Sequence, residues 1–412
     1  SFFLSFARLN ENDPKTPQCV AKTPDFSYNM AITQRKRKRE YIQSFGLIPS
    51  FSQKRVAQLG LRLMVCRRIG RRNMKIAIDA MGGDHAPQAV FEGVKLVLPE
   101  LNKEVELVLY GDETTIKDGL SALGVTDKRV SIVATTEVVG CDEQPTLAIR
   151  KKKDSSMVRA VEAVASGEAD CVLSAGSTGA LLTGATLIIK RLKGVKRPAL
   201  ATVMPTVDSC VLLLDCGANT DCKSDYLVQF ALMGSAYMQR VIGVNKPRVG
   251  LLNNGAEEEK GNELTKETHQ LLKTAPVNFT GNCEGRDVLG GEFDVVVCDG
   301  FDGNIVLKGT EGAAGLIMDL LKQGLMSSVR TKIGALICKP AFKQLKKKLD
   351  YTEYGGAPLL GVNGGVIKAH GSSNGKSFRS AILQAQKLVA SDVTRLLGEE
   401  IAKFDLEGKA AE

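Results

Sequence analysis

Histidine is scarce in this chain, with three residues in 412. So few imidazoles leave little material for a Ser-His-Asp arrangement or a histidine-rich metal centre. The ten cysteines include no C-x-x-C pair, and most lie inside strand-like apolar runs, as Cys171, Cys210 and Cys298 do. Thiols placed this way read as reduced and buried, the pattern of a cytoplasmic protein. Cys210, Cys216 and Cys222 recur at even spacing around one strand end, but without nearby histidines or ligand-type spacing they predict no metal. No apolar run approaches a transmembrane span. G-x-G-x-x-G does not follow the first strand and G-x-x-x-x-G-K-[ST] does not occur, so neither NAD nor ATP is indicated as a cofactor.

Charge is unevenly spread. The formal net charge is +9, yet residues 1–73 hold 15 Lys and Arg against 4 Asp and Glu, leaving 40 basic against 42 acidic in the rest. The basic excess sits in Arg35-Lys36-Arg37-Lys38-Arg39 and in Arg67 to Arg72, within a leader that lacks hydrophobic periodicity. That leader is expected to be a poorly ordered extension ahead of a natural start at Met74. A nucleic-acid arm or an address is the competing explanation, while a signal peptide would need an apolar h-region that is missing.

From Met74 to residue 412 the pattern becomes that of one domain. Short Val/Ile/Leu runs (Val105 to Tyr110, Val130 to Ala134, Cys171 to Ala175, Ala199 to Met204, Val211 to Asp215, Val249 to Asn253, Val295 to Cys298) alternate with amphipathic segments. This predicts an α/β architecture with a mostly parallel sheet covered on both faces, and ligands beyond the carboxyl ends of its strands. Five strand ends carry glycine and polar residues: Asp79-Ala80-Met81-Gly82-Gly83, Ser174 to Ala180, Asp215 to Asn219, Asn253 to Glu257 and Cys298 to Asn304. They are expected to converge on one sheet edge. A helical hairpin is predicted over about 312–349, divided near Pro340, with Leu316, Ile317, Leu320, Ile333 and Leu336 among flanking lysines and arginines. It suits a core, a dimer partner or an anionic membrane surface.

Three segments carry chemistry. Lys75 to Pro87 runs from a strand into a Gly82-Gly83 turn with Asp79, Asp84 and His85, where free amides can hold a small anion. Ser174-Ala175-Gly176-Ser177-Thr178-Gly179 ends a strand and opens a helix with two hydroxyls between glycines, a second anion site or a plain Ser/Thr cap. A nucleophile elbow would read G-x-S-x-G, one residue longer than Gly176-Ser177-Thr178-Gly179. The third is Lys368-Ala369-His370-Gly371-Ser372-Ser373, in which Lys368 and His370 share one face of a strand.

Together with Leu214-Asp215-Cys216-Gly217-Ala218-Asn219, the segment from Gly281 to Asp287 and Tyr354-Gly355-Gly356-Ala357, these motifs closely resemble the bacterial phosphate acyltransferase family, PlsX. The resemblance runs from Met74 to the C-terminal helix. It implies a three-layer α/β/α fold similar to phosphotransacetylase and isopropylmalate dehydrogenase. The implied activity is transfer of a fatty acyl group from acyl carrier protein to inorganic phosphate. The acyl phosphate would then serve a downstream glycerol-3-phosphate acyltransferase in phospholipid synthesis. A cytoplasmic homodimer with peripheral membrane contact through Leu316 to Leu349 is implied as well.

Direct attack by phosphate on a thioester requires neither a metal nor an acyl-enzyme, only positioning and oxyanion stabilisation. On that reading Gly82, Gly83, Asp84, Gly176, Ser177, Thr178, Gly179, Ser372 and Ser373 hold phosphate and thioester. His85, Asn219, Lys368 and His370 are the catalytic set. The basic run Lys190, Arg191, Lys193, Lys196 and Arg197 would meet the acidic carrier. Asn254 and Asp302 depart from the family pattern, where apolar residues are usual, and the leader has no counterpart. The rivals are a coenzyme A-dependent phosphotransacetylase, a metal-dependent decarboxylating dehydrogenase, and a nucleic-acid or membrane adaptor built on the basic leader.

Overall fold

Apolar runs with both faces hydrophobic become strands that helices must cover on each side. The computed structural model describes residues 73–349 and 355–411. The basic leader up to Arg72 and Tyr354 of the Tyr354-Gly355-Gly356-Ala357 motif lie outside the described residues.

Eleven strands form one sheet: β1 Met74–Asp79, β2 Val105–Gly111, β3 Val130–Ala134, β4 Cys171–Ser174, β5 Ala199–Pro205, β6 Cys210–Leu214, β7 Arg248–Asn253, β8 Asn278–Glu284, β9 Val295–Val297, β10 Ala357–Leu360 and β11 Gly365–Lys368. Their order is β3-β2-β1-β4-β11-β10-β5-β6-β9-β7-β8. The helices are α1 Gln88–Val97, α2 Glu113–Ala122, α3 Pro145–Lys151, α4 Ser156–Ala165, α5 Thr178–Gly184, α6 Ser224–Tyr237, α7 Glu263–Thr274, α8 Gly300–Met326, α9 Val329–Ile337, α10 Lys339–Leu349, α11 Gly375–Ala390 and α12 Val393–Ala411. The result is a three-layer α/β fold with a mostly parallel sheet. The strands missed in the sequence are β8 and β10: one alternates polar with apolar residues, and the other contains Pro358.

The sheet reverses direction at its centre. β10 is antiparallel to both β11 and β5, and β5 is antiparallel to β6, whereas the flanking groups β3-β2-β1-β4-β11 and β6-β9-β7-β8 are each parallel. The five polar strand ends therefore do not converge on one edge. Those of β1 and β4 emerge together, on the same side as the end of β11, while those of β6, β7 and β9 point the opposite way.

Alternation along the strands gives the two faces different covers. On one face Ile76, Ile78, Leu173, Val203, Leu214, Val297 and Ile367 share a continuous core with α1, α2, α6 and α11. On the other face the core is split. Ala77, Val172 and Val366 pack under α3, α4 and α5, and Met204, Val211, Leu213 and Val296 pack under the first turns of α8 through Val306 and Leu307. The two covers part over β5, and a cleft opens on the face of the sheet, not beyond its edge.

The predicted hairpin is corrected in two ways. Its first helix starts at Gly300, and the chain breaks at Ser327-Ser328 as well as at Cys338 just before Pro340, giving three helices. The Ser328 side chain caps α9 through a reciprocal bond with Thr331, which explains a break where no proline stands. Beyond Ala314 the apolar side chains of α8 and α9 are largely exposed, with Leu336 69% and Ile337 75% accessible.

α8 is docked through glycine. A Cβ at Gly303 would stand 1.9 Å from the Asp215 carbonyl oxygen, and one at Gly300 would stand 2.3 Å from the Asn219 carbonyl oxygen. Gly303→Ala is accordingly expected to destabilise the fold by about 1–3 kcal/mol through overpacking. Urea denaturation would read this as a lowered midpoint at unchanged slope.

Candidate functional site

The cleft has a volume of about 470 Å³. One wall comes from Thr178 at the start of α5 and from Lys368, Ala369, His370 and Gly371 after β11; the other comes from Asn304, Leu307, Lys308, Glu311 and Ala314 of α8. Leu200, Thr202 and Met204 of β5 form the floor, with Gly217 and Leu289 at the sides. One part is cationic and polar, and the rest is apolar.

Lys368 is 8% exposed. Its ammonium donates to the Ala175 carbonyl at 3.2 Å and to the Ala369 carbonyl. Burial brings its pKa down to about 8, against the opposing pull of Cys141, Asp84 and Asp79, while Lys308 adds a smaller downward push. His370 is also lowered, by burial first and then by Lys308. The Ser372 N–H donates to His370 Nδ1 at 3.2 Å, and the Ser372 hydroxyl lies 2.8 Å from the same nitrogen. Nδ1 is thus an acceptor, and the network assigns the proton of the neutral ring to Nε2. His370 is suited to donate a hydrogen bond without carrying charge.

Asp79 stands behind this wall. Its buried carboxylate accepts from the hydroxyls of Ser156 at 2.6 Å and Ser174 at 2.7 Å and from the Met81 amide at 3.3 Å. Burial raises its pKa, and the hydrogen bonds, including one from the Gly82 amide, oppose the rise. Asp79 therefore ties the end of β1 to α4 and β4.

The Gly82-Gly83 turn, expected to hold an anion, has packing and hydrogen-bonding duties in this arrangement. Gly82 is required because its Cβ would lie 2.3 Å from Asp79 Oδ2, and the Asp84 amide donates to the Gly371 carbonyl at 2.9 Å. These amides are committed within the protein, so the turn supports the Gly371 loop. Gly82, Gly83, Asp84 and His85 do not line the cleft, and Asp84 and His85 are exposed. Close packing also accounts for Gly176, whose Cβ would meet Met157 at 2.8 Å, and Gly179, whose Cβ would meet Pro145 at 2.7 Å. Ser177 caps α5 by accepting from the Ala180 amide at 3.4 Å; its neighbour Thr178 is the residue that reaches the cleft. The Ser373 hydroxyl is buried and has no partner among the described residues.

Asn219 lies elsewhere. Its amide nitrogen donates to the Pro198 carbonyl at 2.8 Å and to Asp215 Oδ2 at 3.0 Å, and it borders a second cavity, not the cleft. The turn ending β7 at Asn253 and Asn254 does not reach the cleft either. Asp302, on the first turn of α8, has its carboxyl pKa raised by burial and by Asp299, but it is not a lining residue. In the basic run all five residues are exposed: Arg191 donates to the Lys196 carbonyl, Lys196 pairs with Asp225, and Arg197 lies over the Tyr226 ring at 5.9 Å.

Asn304, Lys308 and Glu311 were missed because the helix was expected to begin at Gly312. Their signal was present in the sequence: polar residues at 304, 308 and 311 follow a helical repeat once Asp299 is recognised as the N-cap. Lys308 Nζ is 3.4 Å from Glu311 Oε2. Among the described residues no cluster of His, Cys, Asp or Glu could hold a metal ion, and no helix is long and apolar enough to cross a membrane.

A three-layer α/β fold with a cationic pocket joined to an apolar one on its central strands suits an acyltransferase that uses an anionic acceptor. The comparisons agree. The family described as "Fatty acid synthesis protein" matches residues 74–396. A phosphate acyltransferase of Clostridium perfringens is 50% identical over 339 residues, covering 82% of this chain and all of that protein. Another from Thermoanaerobacterium thermosaccharolyticum is 50% identical over 328 residues, covering 80% of this chain and 97% of its own length. In fold, the chain is similar to a phosphotransacetylase from Streptococcus pyogenes, with a TM-score of 0.52 at 18% identity, over 80% of this chain and 99% of that one. The chain belongs to the phosphate acyltransferase family, PlsX, and is an acyltransferase.

Asn219 is expected to act as a brace. Asn219→Ala leaves Pro198 and Asp215 short of a donor and should lower stability by about 1–3 kcal/mol, with kcat/KM reduced in proportion to unfolding alone. An unchanged denaturation midpoint with a large loss of kcat would assign Asn219 to the chemistry instead.

Proposed function

We propose that the cleft transfers a fatty acyl group from acyl carrier protein to inorganic phosphate, releasing acyl phosphate for phospholipid synthesis. The observation that carries this reading is the pairing of a buried ammonium and a neutral imidazole with an apolar floor inside one cavity. Lys368, Lys308 and Thr178 suit an anion; Leu200, Met204, Leu289 and Leu307 suit an alkyl chain. The buried Ser373 hydroxyl behind them remains available as a further donor.

The reaction needs little from the side chains except placement. Phosphate, with its second ionisation near neutrality, supplies the attacking oxygen. The new C–O bond forms at the thioester carbonyl as the C–S bond breaks, and the sulfur departs as a thiolate that takes its proton from solvent. The carbonyl oxygen gathers charge in between, and a neutral donor such as His370 Nε2–H stabilises it without first losing a proton. Ser177 and Ser372 shape this site indirectly, through the α5 cap and the His370 tautomer. The basic run Lys190 to Arg197 offers positive charge to an acidic carrier, and the exposed apolar face of α8 and α9 is the surface this reading assigns to a second copy of the chain or to lipid.

Lys368 gives the reading a pH signature. Its cation is present below about 8 and is lost as pH rises through that value, so kcat/KM for phosphate should fall above pH 8. In Lys368→Met the alkaline limb should vanish and the KM for phosphate should rise by about tenfold to a hundredfold; Lys368→Arg should push the limb to higher pH. Initial rates of acyl phosphate formation from phosphate with acyl-acyl carrier protein or with coenzyme A thioesters, set beside NADH formation from NAD plus a hydroxy acid, would test the substrate class. An unchanged rate in both Lys368→Met and His370→Ala would remove the assignment.

A further inference from the structure

A second cavity, of about 330 Å³, shares elements with the cleft but no lining residue. Arg150 of α3 and Arg197 ahead of β5 line it together with Thr146, Thr183 and Thr186, and no carboxylate is among its lining residues. Neither arginine has an acidic partner among the described residues, and the three threonine hydroxyls have no hydrogen bond there. Arg197 is held by the Tyr226 ring at 5.9 Å. Asp225, on the same helix as that ring, is paired with Lys196. Two unmatched guanidiniums and several hydroxyls around one hollow are a phosphate-class recognition set, because guanidinium forks match phosphate oxygens in pairs.

Its position relative to the cleft narrows the ligand. α5 serves both cavities, with Thr178 in the cleft and Thr183 in the second one; β10 does the same through Ala357 and Leu359, and Pro198, just ahead of β5, lines the second cavity while Leu200 of β5 lines the cleft. Leu359 pairs with Leu200 and Ala357 with Lys368, so Lys368 stands level with Thr202, roughly 10 Å along β5 from Ala199 at about 3.3 Å per residue, and Arg197 lies two residues beyond that end. A ligand bridging them would carry a phosphate at one end and a reacting group at the other, joined by a long, slender, mostly uncharged arm.

We propose that the second cavity binds the phosphate at the 4′ end of the donor's pantetheine arm, so that the arm runs along β5 and presents its thioester beside Lys368 and His370. This rests on the thioester-donor reading above. The arginines fix the arm's register: they hold one end so that the thioester carbonyl stops at the phosphate acceptor.

The test uses S-acyl phosphopantetheine and S-acyl pantetheine carrying the same acyl chain, with the wild-type chain, Arg150→Gln, Arg197→Gln and Thr183→Val. The wild type should show a lower KM for the phosphorylated donor, by about tenfold or more. Each arginine variant should raise that KM by about the same factor while leaving the KM for acyl pantetheine and for inorganic phosphate unchanged, and Thr183→Val should do so more weakly. Equal KM values for the two donors in the wild type would overturn the proposal. So would variants that raise only the KM for inorganic phosphate, which would place the free anion in this cavity.

A coenzyme A thioester with the same arginine dependence, alongside inactive acyl carrier protein, would support the site and remove the carrier. If no thioester yields acyl phosphate, the functional reading fails by itself. Calorimetric titration of phosphopantetheine against pantetheine into the same variants then decides the cavity: loss of a phosphate-dependent affinity in the arginine variants supports it, and its absence in the wild type overturns it.

Discussion

The carboxylate of Asp215 is fully buried and accepts from the Leu200 amide at 2.9 Å, the Ala218 amide at 3.2 Å, the Asn219 amide at 2.7 Å and the Asn219 side chain at 3.0 Å. Burial raises its pKa and these four donors oppose the rise. An uncompensated carboxylate at this depth would be strongly destabilising, so the loop after β6 must fold around it. That loop is also the surface on which Gly300 and Gly303 of α8 rest. The floor of the cleft, through Leu200, and its outer wall, through α8, therefore take their positions from one acid. Asp79 has the corresponding role on the inner wall.

Charge inside the cleft is arranged to keep its cations few and poised. Burial first, then Lys308 and Lys368, lower the His370 pKa against the opposing pull of Glu311 and Asp84, and desolvation brings the Lys368 pKa down to about 8. An arriving anion would offset both penalties at once, since its charge restores what burial removed.

Strand positions were readable because their two-sided burial leaves continuous Val/Ile/Leu runs; β3 was predicted residue for residue. Direction was not readable, since an apolar run has the same composition whichever way it points. The central reversal, carried by the short strand β10 and by β5, therefore escaped the sequence and sent three polar turns away from the predicted edge. Lys368, His370 and Thr178, singled out in the sequence by their position at strand ends, line the cleft. Gly82, Gly83 and Asn219 lie outside the lining of the cleft; glycine and asparagine look alike in a ligand loop and in a tight structural turn, and here Gly82 packs on the buried Asp79 and Asn219 bonds the buried Asp215. Lys308 and Asn304 were hidden by a late estimate of where α8 starts.

α8 has 27 residues and is about 40 Å long at 1.5 Å per residue. Its first turns rest on the Asp215 loop and wall the cleft, while its far turns extend beyond the core. A rod held at one end is a lever. Tilting it by about 5° at Gly300 moves the far end by roughly 3.5 Å and Asn304 by roughly 0.5 Å. Any load on the outer turns is geared down on its way to the cleft, arriving as small displacements of the size that governs alignment of reacting groups.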